Sequence, residues 1–128
     1  MAHVLVIESD RIVADNITQM LEQAGHRTSW HLDPQGAIDG ADSKAPDAII
    51  IDLMLAGRSG VEFLYEFRSY PQWQKLPVIV FSDVTPEEFN GAGTGFSQLN
   101  VAAYHHKPVT QLSDLLDSVK TVLQPAAA

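Results

Sequence analysis

Four polar residues with complementary side chains end or follow apolar segments of the chain. Asp52 ends "DAIIID", Glu8 ends "HVLVIE", Ser82 ends "LPVIVFS", and Lys107 follows "VAAYHH". Two neighbouring carboxylates repel each other unless a cation lies between them, and a site with few oxygen ligands suits Mg²⁺. Phosphoryl transfer depends mainly on positioning and charge neutralisation, which a cation, an ammonium and a hydroxyl around a carboxylate would supply. This set indicates phosphoryl chemistry with Asp52 as the candidate nucleophile.

The segments that carry these residues alternate between strand and helix patterns. Strands are predicted for five short runs: "HVLVIE", "HRTSWH", "DAIIID", "LPVIVFS" and "VAAYHH". Apolar residues at helical spacing predict helices in "DRIVADNITQMLEQAG", "SGVEFLYEFRSY" and "VTQLSDLLDSVKTVL". A shorter helix in "DPQGAIDGADSK" has Asp33 as its N-cap and Pro34 at its first position, and Ser59 is the candidate N-cap of "SGVEFLYEFRSY".

Strands without polar alternation are typical of a parallel sheet whose two faces are covered by crossover helices. The predicted fold is therefore α/β, a doubly wound (βα)5 unit with a five-stranded parallel sheet. In such sheets ligands bind at the carboxyl ends of the strands, near the point where the strand order reverses. Polar residues at strand ends often only meet water. Four complementary groups at one edge nevertheless favour a functional site.

Glycines follow two of these strands. Gly57 and Gly60 are expected to let the loop after Asp52 turn sharply before its helix. The segment "TPEEFNGAGTGFSQLN", after Ser82, contains three glycines, and each costs a helix interior about 1 kcal/mol relative to Ala. A short helical turn followed by a loop is therefore expected there.

Composition excludes several other classes of protein. The chain has 128 residues, of which 45% are apolar, enough for one domain, predicted over residues 1–124 with a tail at 125–128. A net charge of -8 argues against direct nucleic-acid binding. No apolar run is long enough for a membrane span and no export signal is evident, so we expect a cytoplasmic protein.

His105 and His106 are adjacent on a predicted strand and point to opposite faces, which argues against a zinc site.

The motifs together resemble the receiver domains of two-component response regulators, whose CheY-like fold belongs to the flavodoxin-like class. "VLVIES" is similar to the segment with the acidic pair, and "IIIDLMLAGRSGVEF" to the phosphoacceptor strand and loop of OmpR/PhoB-type receivers. "LPVIVFS" resembles the strand that ends in a switch Ser or Thr. "AYHHKP" resembles the segment with the aromatic residue and the Lys-Pro pair.

The resemblance implies that a histidine kinase phosphorylates Asp52 in a Mg²⁺-dependent reaction. Ser82 and Lys107 would contact the phosphoryl oxygens, while Ser82 and Tyr104 would act as the switch. A downstream effector protein or a missing output domain would receive the signal, and a homodimer through the fourth helix, fifth strand and fifth helix is a further expectation. The implied Mg²⁺ ligands are Glu8, Asp52 and the backbone carbonyl of Met54.

Three positions leave alternatives open. Ser9 stands where the family usually has a second acid, and a hydroxyl is a weaker ligand for a hard cation. Asp10 could replace that acid or could cap the first helix. Asp83 could reach the metal or could repel an incoming phosphoryl group by like charge. Two functions follow: a phosphoacceptor receiver, or a pseudo-receiver that acts as a phosphorylation-independent protein-interaction module.

Overall fold

A computed structural model describes residues 2–55, 58–91, 99 and 101–123. Its main sheet has five parallel strands, as predicted, and a separate two-residue antiparallel pair lies beside it. In chain order the strands are β1 (His3–Ile7), β2 (Arg27–His31), β3 (Ala48–Ile51), β4 (Met54–Leu55), β5 (Arg58–Ser59), β6 (Val78–Ser82) and β7 (Val101–His106). The main sheet has the order β2-β1-β3-β6-β7, so its order reverses between β1 and β3.

The described residues form five α-helices of six residues or more around this sheet and two 3₁₀ helices, Pro71–Trp73 and Lys107–Val109, and side chains cap the first three α-helices. The helices are α1 (Arg11–Gln23), α2 (Pro34–Ser43), α3 (Gly60–Arg68), α4 (Pro86–Gly91) and α5 (Leu112–Leu123). Asp10 accepts hydrogen bonds from the first turn of α1. The predicted caps of α2 and α3 are confirmed, since Asp33 accepts from the Gly36 N–H and Ser59 from the Val61 N–H.

Each face of the sheet is buried by its own pair of helices. On one face Ile7 and Ile51 pack in a cluster with Ala37 of α2 and Phe63 of α3. On the other face Val6 and Ile50 pack with Ile17 and Leu21 of α1 and with two residues of α5, Leu115 and Val119. All residues of β1, β3 and β6 are buried. This two-sided burial explains why these strands show no polar alternation.

Some sequence predictions fall outside the described residues. The structure describes α4 up to Gly91, and the predicted end of this helix and the loop after it fall on residues 92–98, which lie outside the described part of the chain, as does Gly57. The tail predicted at 125–128 does too, so the domain boundary stays a prediction. Within the described ranges, no helix has both the length and the apolarity that a bilayer crossing requires.

Candidate functional site

The carboxyl edge of the sheet carries the predicted site residues. Glu8 and Asp52 directly follow β1 and β3, which are neighbours at the point of order reversal. Ser82 is the last residue of β6, and Lys107 directly follows β7. The parallel arrangement therefore brings together four residues that are distant in the chain, at the edge where ligands bind in sheets of this kind.

Lys107 connects the two carboxylates. Its Nζ lies 2.7 Å from Asp52 Oδ2 and 2.9 Å from Glu8 Oε1. Glu8 is only 2% exposed and Asp52 5% exposed, so both carboxylates have lost most of their contact with water. Since an uncompensated charge at such positions is costly, the ammonium provides the positive charge that these carboxylates require.

The other oxygen of Asp52 is held by two donors. Ser82 Oγ donates a hydrogen bond to Asp52 Oδ1 at 2.7 Å, and the Met54 N–H donates to the same oxygen at 3.0 Å. Ser82 Oγ in turn accepts from the Leu53 N–H at 3.4 Å and the Val84 N–H at 3.2 Å. The hydroxyl therefore joins the phosphoacceptor candidate to the loop after β6.

Burial and the three charges shift the pKa values of two groups in this site. Burial, helped by the charge of Asp52, raises the pKa of Glu8 in spite of the opposing hydrogen bonds from Lys107 and the Asp10 backbone. Burial alone would lower the pKa of Lys107. Hydrogen bonds to Asp52 and Glu8, and the charges of these carboxylates, outweigh that effect and raise it. Lys107 therefore stays charged at neutral pH.

Two carboxylates and a backbone carbonyl fit a Mg²⁺ ion that keeps several waters. Glu8 and Asp52 already share one cation, the Lys107 ammonium, which shows that the pair accepts positive charge between them. Ser9 Oγ donates to the Met54 carbonyl at 3.3 Å, so the hydroxyl lies beside the third predicted ligand. In the described part of the chain no group of three or more His, Cys, Asp or Glu side chains is placed to hold a metal. These oxygen ligands carry little negative charge in total, so they suit a site that binds Mg²⁺ weakly.

Asp10 and Asp83, the other candidate ligands, have different surroundings. Asp10 Oδ1 accepts from the Ile12 N–H at 2.9 Å and the Val13 N–H at 3.3 Å, so this carboxylate caps α1. The Asp83 side chain is exposed. Its backbone carbonyl lies 3.1 Å from His106 Nε2. Of the three residues considered for the missing acid, Ser9 bonds a predicted ligand through its side chain, whereas Asp10 does so only through its backbone N–H, which donates to Glu8 Oε2.

Tyr104, the predicted switch residue, contacts the loop that follows Ser82. Its hydroxyl donates to the Val84 carbonyl at 2.5 Å, and its half-buried ring packs against the core. Burial, followed by the charges of Glu88 and Asp52, raises the pKa of Tyr104 to about 12. Its switching role stays a prediction.

Sequence reasoning missed several supports of the site. Trp30 Nε1 donates to the Glu8 carbonyl at 2.8 Å, and the Glu8 N–H donates to the His31 carbonyl at 3.2 Å. Gly60 is the first residue of α3 and does not have a positive φ. A Cβ at that position would lie 2.6 Å from the Asp52 carbonyl oxygen, so close backbone approach is what requires glycine.

Comparison with known proteins agrees with this arrangement. The family described as "Response regulator receiver domain" matches residues 4–120. Among solved structures, the chemotaxis protein CheY4 of Vibrio cholerae superposes with a TM-score of 0.85 at 24% identity, covering 96% of this chain and 99% of that one. This similarity confirms the predicted fold.

Curated relatives include two transcriptional regulators. The chain is 27% identical over 135 residues to the transcriptional regulatory protein QseB of Haemophilus influenzae, covering 89% of this chain and 60% of QseB. It is 26% identical over 123 residues to the phosphate regulon transcriptional regulatory protein PhoB of Escherichia coli, covering 94% of this chain and 51% of PhoB. The chain thus matches only 60% or less of the length of these relatives.

Proposed function

The chain belongs to the response regulator receiver domain family, and from this premise we propose that Asp52 accepts a phosphoryl group from a histidine kinase. The observation that carries the proposal is the pair of contacts on the Asp52 carboxylate. Ser82 Oγ lies 2.7 Å from Oδ1 and Lys107 Nζ 2.7 Å from Oδ2. A hydroxyl donor and an ammonium are thus already beside the carboxylate to which the phosphoryl group would be attached.

In the proposed reaction, an Asp52 oxygen attacks the phosphorus of a phosphohistidine. The O–P bond forms, the P–N bond breaks, and the leaving imidazole nitrogen takes up a proton. Oδ1 is fixed by the Met54 N–H and Ser82 Oγ, whereas Oδ2 is bonded to the long, movable side chain of Lys107. We therefore assign the attack to Oδ2, with Lys107 and Ser82 then turning to the phosphoryl oxygens.

Receiver domains generally use Mg²⁺ in phosphorylation, and Glu8, Asp52 and the Met54 carbonyl are the residues that would hold it here. When bound, the ion would supply additional positive charge to the phosphoryl oxygens. The chain itself supplies the orientation of the nucleophile and the Lys107 charge. Ser9 is the proposed neighbour of the ion in place of the usual acid, since its hydroxyl is bonded to the Met54 carbonyl.

Receiver domains of response regulators interact with histidine kinases and with output domains, and we propose the same classes of partner for this chain. The chain matches 60% or less of the lengths of QseB and PhoB. We propose that an output domain or a separate effector protein receives the signal. A homodimer is a further proposal. We propose that the phosphoryl transfer from the histidine kinase takes place in the cytoplasm.

Intact-mass measurement after incubation with Mg²⁺ and acetyl phosphate tests the proposal. The wild type is expected to gain the mass of one phosphoryl group, whereas Asp52→Asn should gain none. Chelation of Mg²⁺ should abolish the gain in the wild type. If the wild type stays unmodified under conditions that label an ordinary receiver, the proposal fails and the pseudo-receiver alternative takes its place.

A further inference from the structure

Two side chains of β7 hold the loop that follows Ser82. The Tyr104 hydroxyl donates to the Val84 carbonyl at 2.5 Å, and His106 Nε2 lies 3.1 Å from the Asp83 carbonyl. A carbonyl can only accept, so Nε2 is the protonated nitrogen in this contact. Tyr104 and His106 are two residues apart on a strand and thus share one face. They bind consecutive carbonyls of the same loop.

His106 is itself well anchored. Its carbonyl accepts a hydrogen bond from Thr110 Oγ1 at 2.7 Å, and its strand neighbour in the sheet register is Ser82. The next residue is Lys107, whose ammonium is bonded to Asp52. His106 is therefore next to both residues that bond Asp52: Lys107 follows it in the chain, and Ser82 lies beside it in the sheet.

We propose that His106 is a positioning residue that holds the loop segment Ser82–Thr85 in its resting position. This inference rests on the proposed function. A phosphoryl group on Asp52 Oδ2 lies on the oxygen opposite to Oδ1, which Ser82 now contacts, so the hydroxyl must move to reach the phosphoryl oxygens. The Asp83 carbonyl moves with the loop, and its hydrogen bond to His106 has to break or re-form. His106 thus sets how readily the loop leaves its resting position.

The adjacent histidine provides a matched comparison. His105 is also half-buried on β7 but bonds through Nε2 to Ser118 Oγ of α5 at 2.7 Å. Adjacent residues of a strand point to opposite faces, so His105 points away from the face on which His106 meets the loop. A change at His105 therefore alters the same strand, the same residue type and a similar hydrogen bond without removing the contact to Asp83.

Hydrogen exchange of the unphosphorylated protein is the primary test. His106→Leu removes the donor, whereas His106→Gln places an amide N–H near the position of the imidazole Nε2. We expect the backbone amides of residues 83–85 to exchange roughly 2- to 10-fold faster in His106→Leu, the range that one neutral hydrogen bond supports. His106→Gln should restore slow exchange, and His105→Leu should leave these amides unchanged. His106→Ala is a second donor-free variant if the leucine does not fit.

The rate of Asp52 labelling by acetyl phosphate gives a functional readout. Release of the loop should accelerate labelling in His106→Leu by a similar factor, with His106→Gln near the wild-type rate. Unchanged exchange in both donor-free variants, or a glutamine variant that behaves like the leucine variant, overturns the inference. Exchange needs no phosphorylation, so an unlabelled wild type would refute the proposed function alone and leave the exchange result to decide the role of His106.

Discussion

The hydroxyl of Ser9 donates a hydrogen bond to the carbonyl oxygen of Met54 across 3.3 Å. In the proposed site this places a neutral donor beside a backbone ligand, at the position where the family usually has a second acid. The negative charge available to a cation therefore comes from Glu8 and Asp52, and Lys107 already offsets part of it. Charge, more than the number of oxygens, is expected to limit Mg²⁺ affinity at this edge of the sheet.

Ser9→Asp should strengthen Mg²⁺ binding. The change adds a carboxylate beside the Met54 carbonyl, and affinity at oxygen sites rises with the number of charged ligands, here on the order of tenfold. Titration calorimetry with Mg²⁺ measures it directly. Trp30 fluorescence offers a second measurement, because the indole is bonded to the Glu8 carbonyl. Ser9→Ala is the control and should not strengthen binding. Equal affinities of the aspartate variant and the wild type would contradict the charge argument.

Lys107→Met should destabilise the fold. The variant leaves the Glu8 and Asp52 carboxylates buried without their shared ammonium, and removal of one partner of a buried ion pair costs about 3–5 kcal/mol. Urea unfolding at neutral pH measures the loss, and Lys107→Arg, which keeps the charge, should lose much less. The pKa of Glu8 is already raised by burial, so protonation at lower pH should recover part of the loss. A methionine variant as stable as the wild type would mean that the bridge has no net stabilising effect.

Gly60→Ala should be more damaging than Gly40→Ala. A Cβ on Gly60 would lie 2.6 Å from both the Asp52 carbonyl oxygen and Leu53 Cα, which are backbone atoms and cannot move aside cheaply. The three atoms nearest to a Cβ on Gly40 all belong to the His31 ring, which can rotate. We expect Gly60→Ala to lower the free energy of unfolding by about 1–3 kcal/mol, measured by urea unfolding. Similar losses in the two variants would contradict this account.

The fold, and the position of the four candidate residues together at one edge of the sheet, could be predicted because local patterns determine them. Runs of consecutive apolar residues such as 48–51 fit few structures other than a strand buried on both faces. Once the strands are parallel, Asp52 and Ser82 must lie at the same edge. The β4–β5 pair was not predicted, since strands of two residues are too short to show a periodic pattern.

Contacts to backbone atoms could not be predicted from residue types. The bonds from Trp30 to the Glu8 carbonyl and from His106 to the Asp83 carbonyl depend on where the chain passes in three dimensions. The sequence predicted that Gly60 is needed for a sharp turn, whereas the structure shows that it is needed because backbone atoms approach it closely. This contact to backbone atoms also could not be read from residue types. A sharp turn and a close approach both select glycine, and only the position of the Asp52 carbonyl distinguishes them.

Tyr104→Phe should make the protein less sensitive to alkaline pH. Burial, then the charges of Glu88, Asp52 and Glu87, raises the pKa of Tyr104 from 10.0 to about 12 in the folded protein. The folded state thus holds this proton more tightly than the unfolded chain does. The resulting stabilisation is complete below the unfolded pKa of 10.0 and is lost as pH rises through the folded value of about 12.

Urea midpoints at about pH 9 and about pH 11 measure this contribution of Tyr104. The wild type should lose more stability between the two conditions than Tyr104→Phe, which has no phenol to ionise at that position. Lys107 also has a raised pKa and weakens the fold in alkali, but it does so in both proteins, so the difference between them isolates Tyr104. Equal losses would mean that the phenol ionises alike in the folded and unfolded chains. In that case neither burial nor the hydrogen bond to the Val84 carbonyl would favour the neutral form of the Tyr104 hydroxyl in the folded protein.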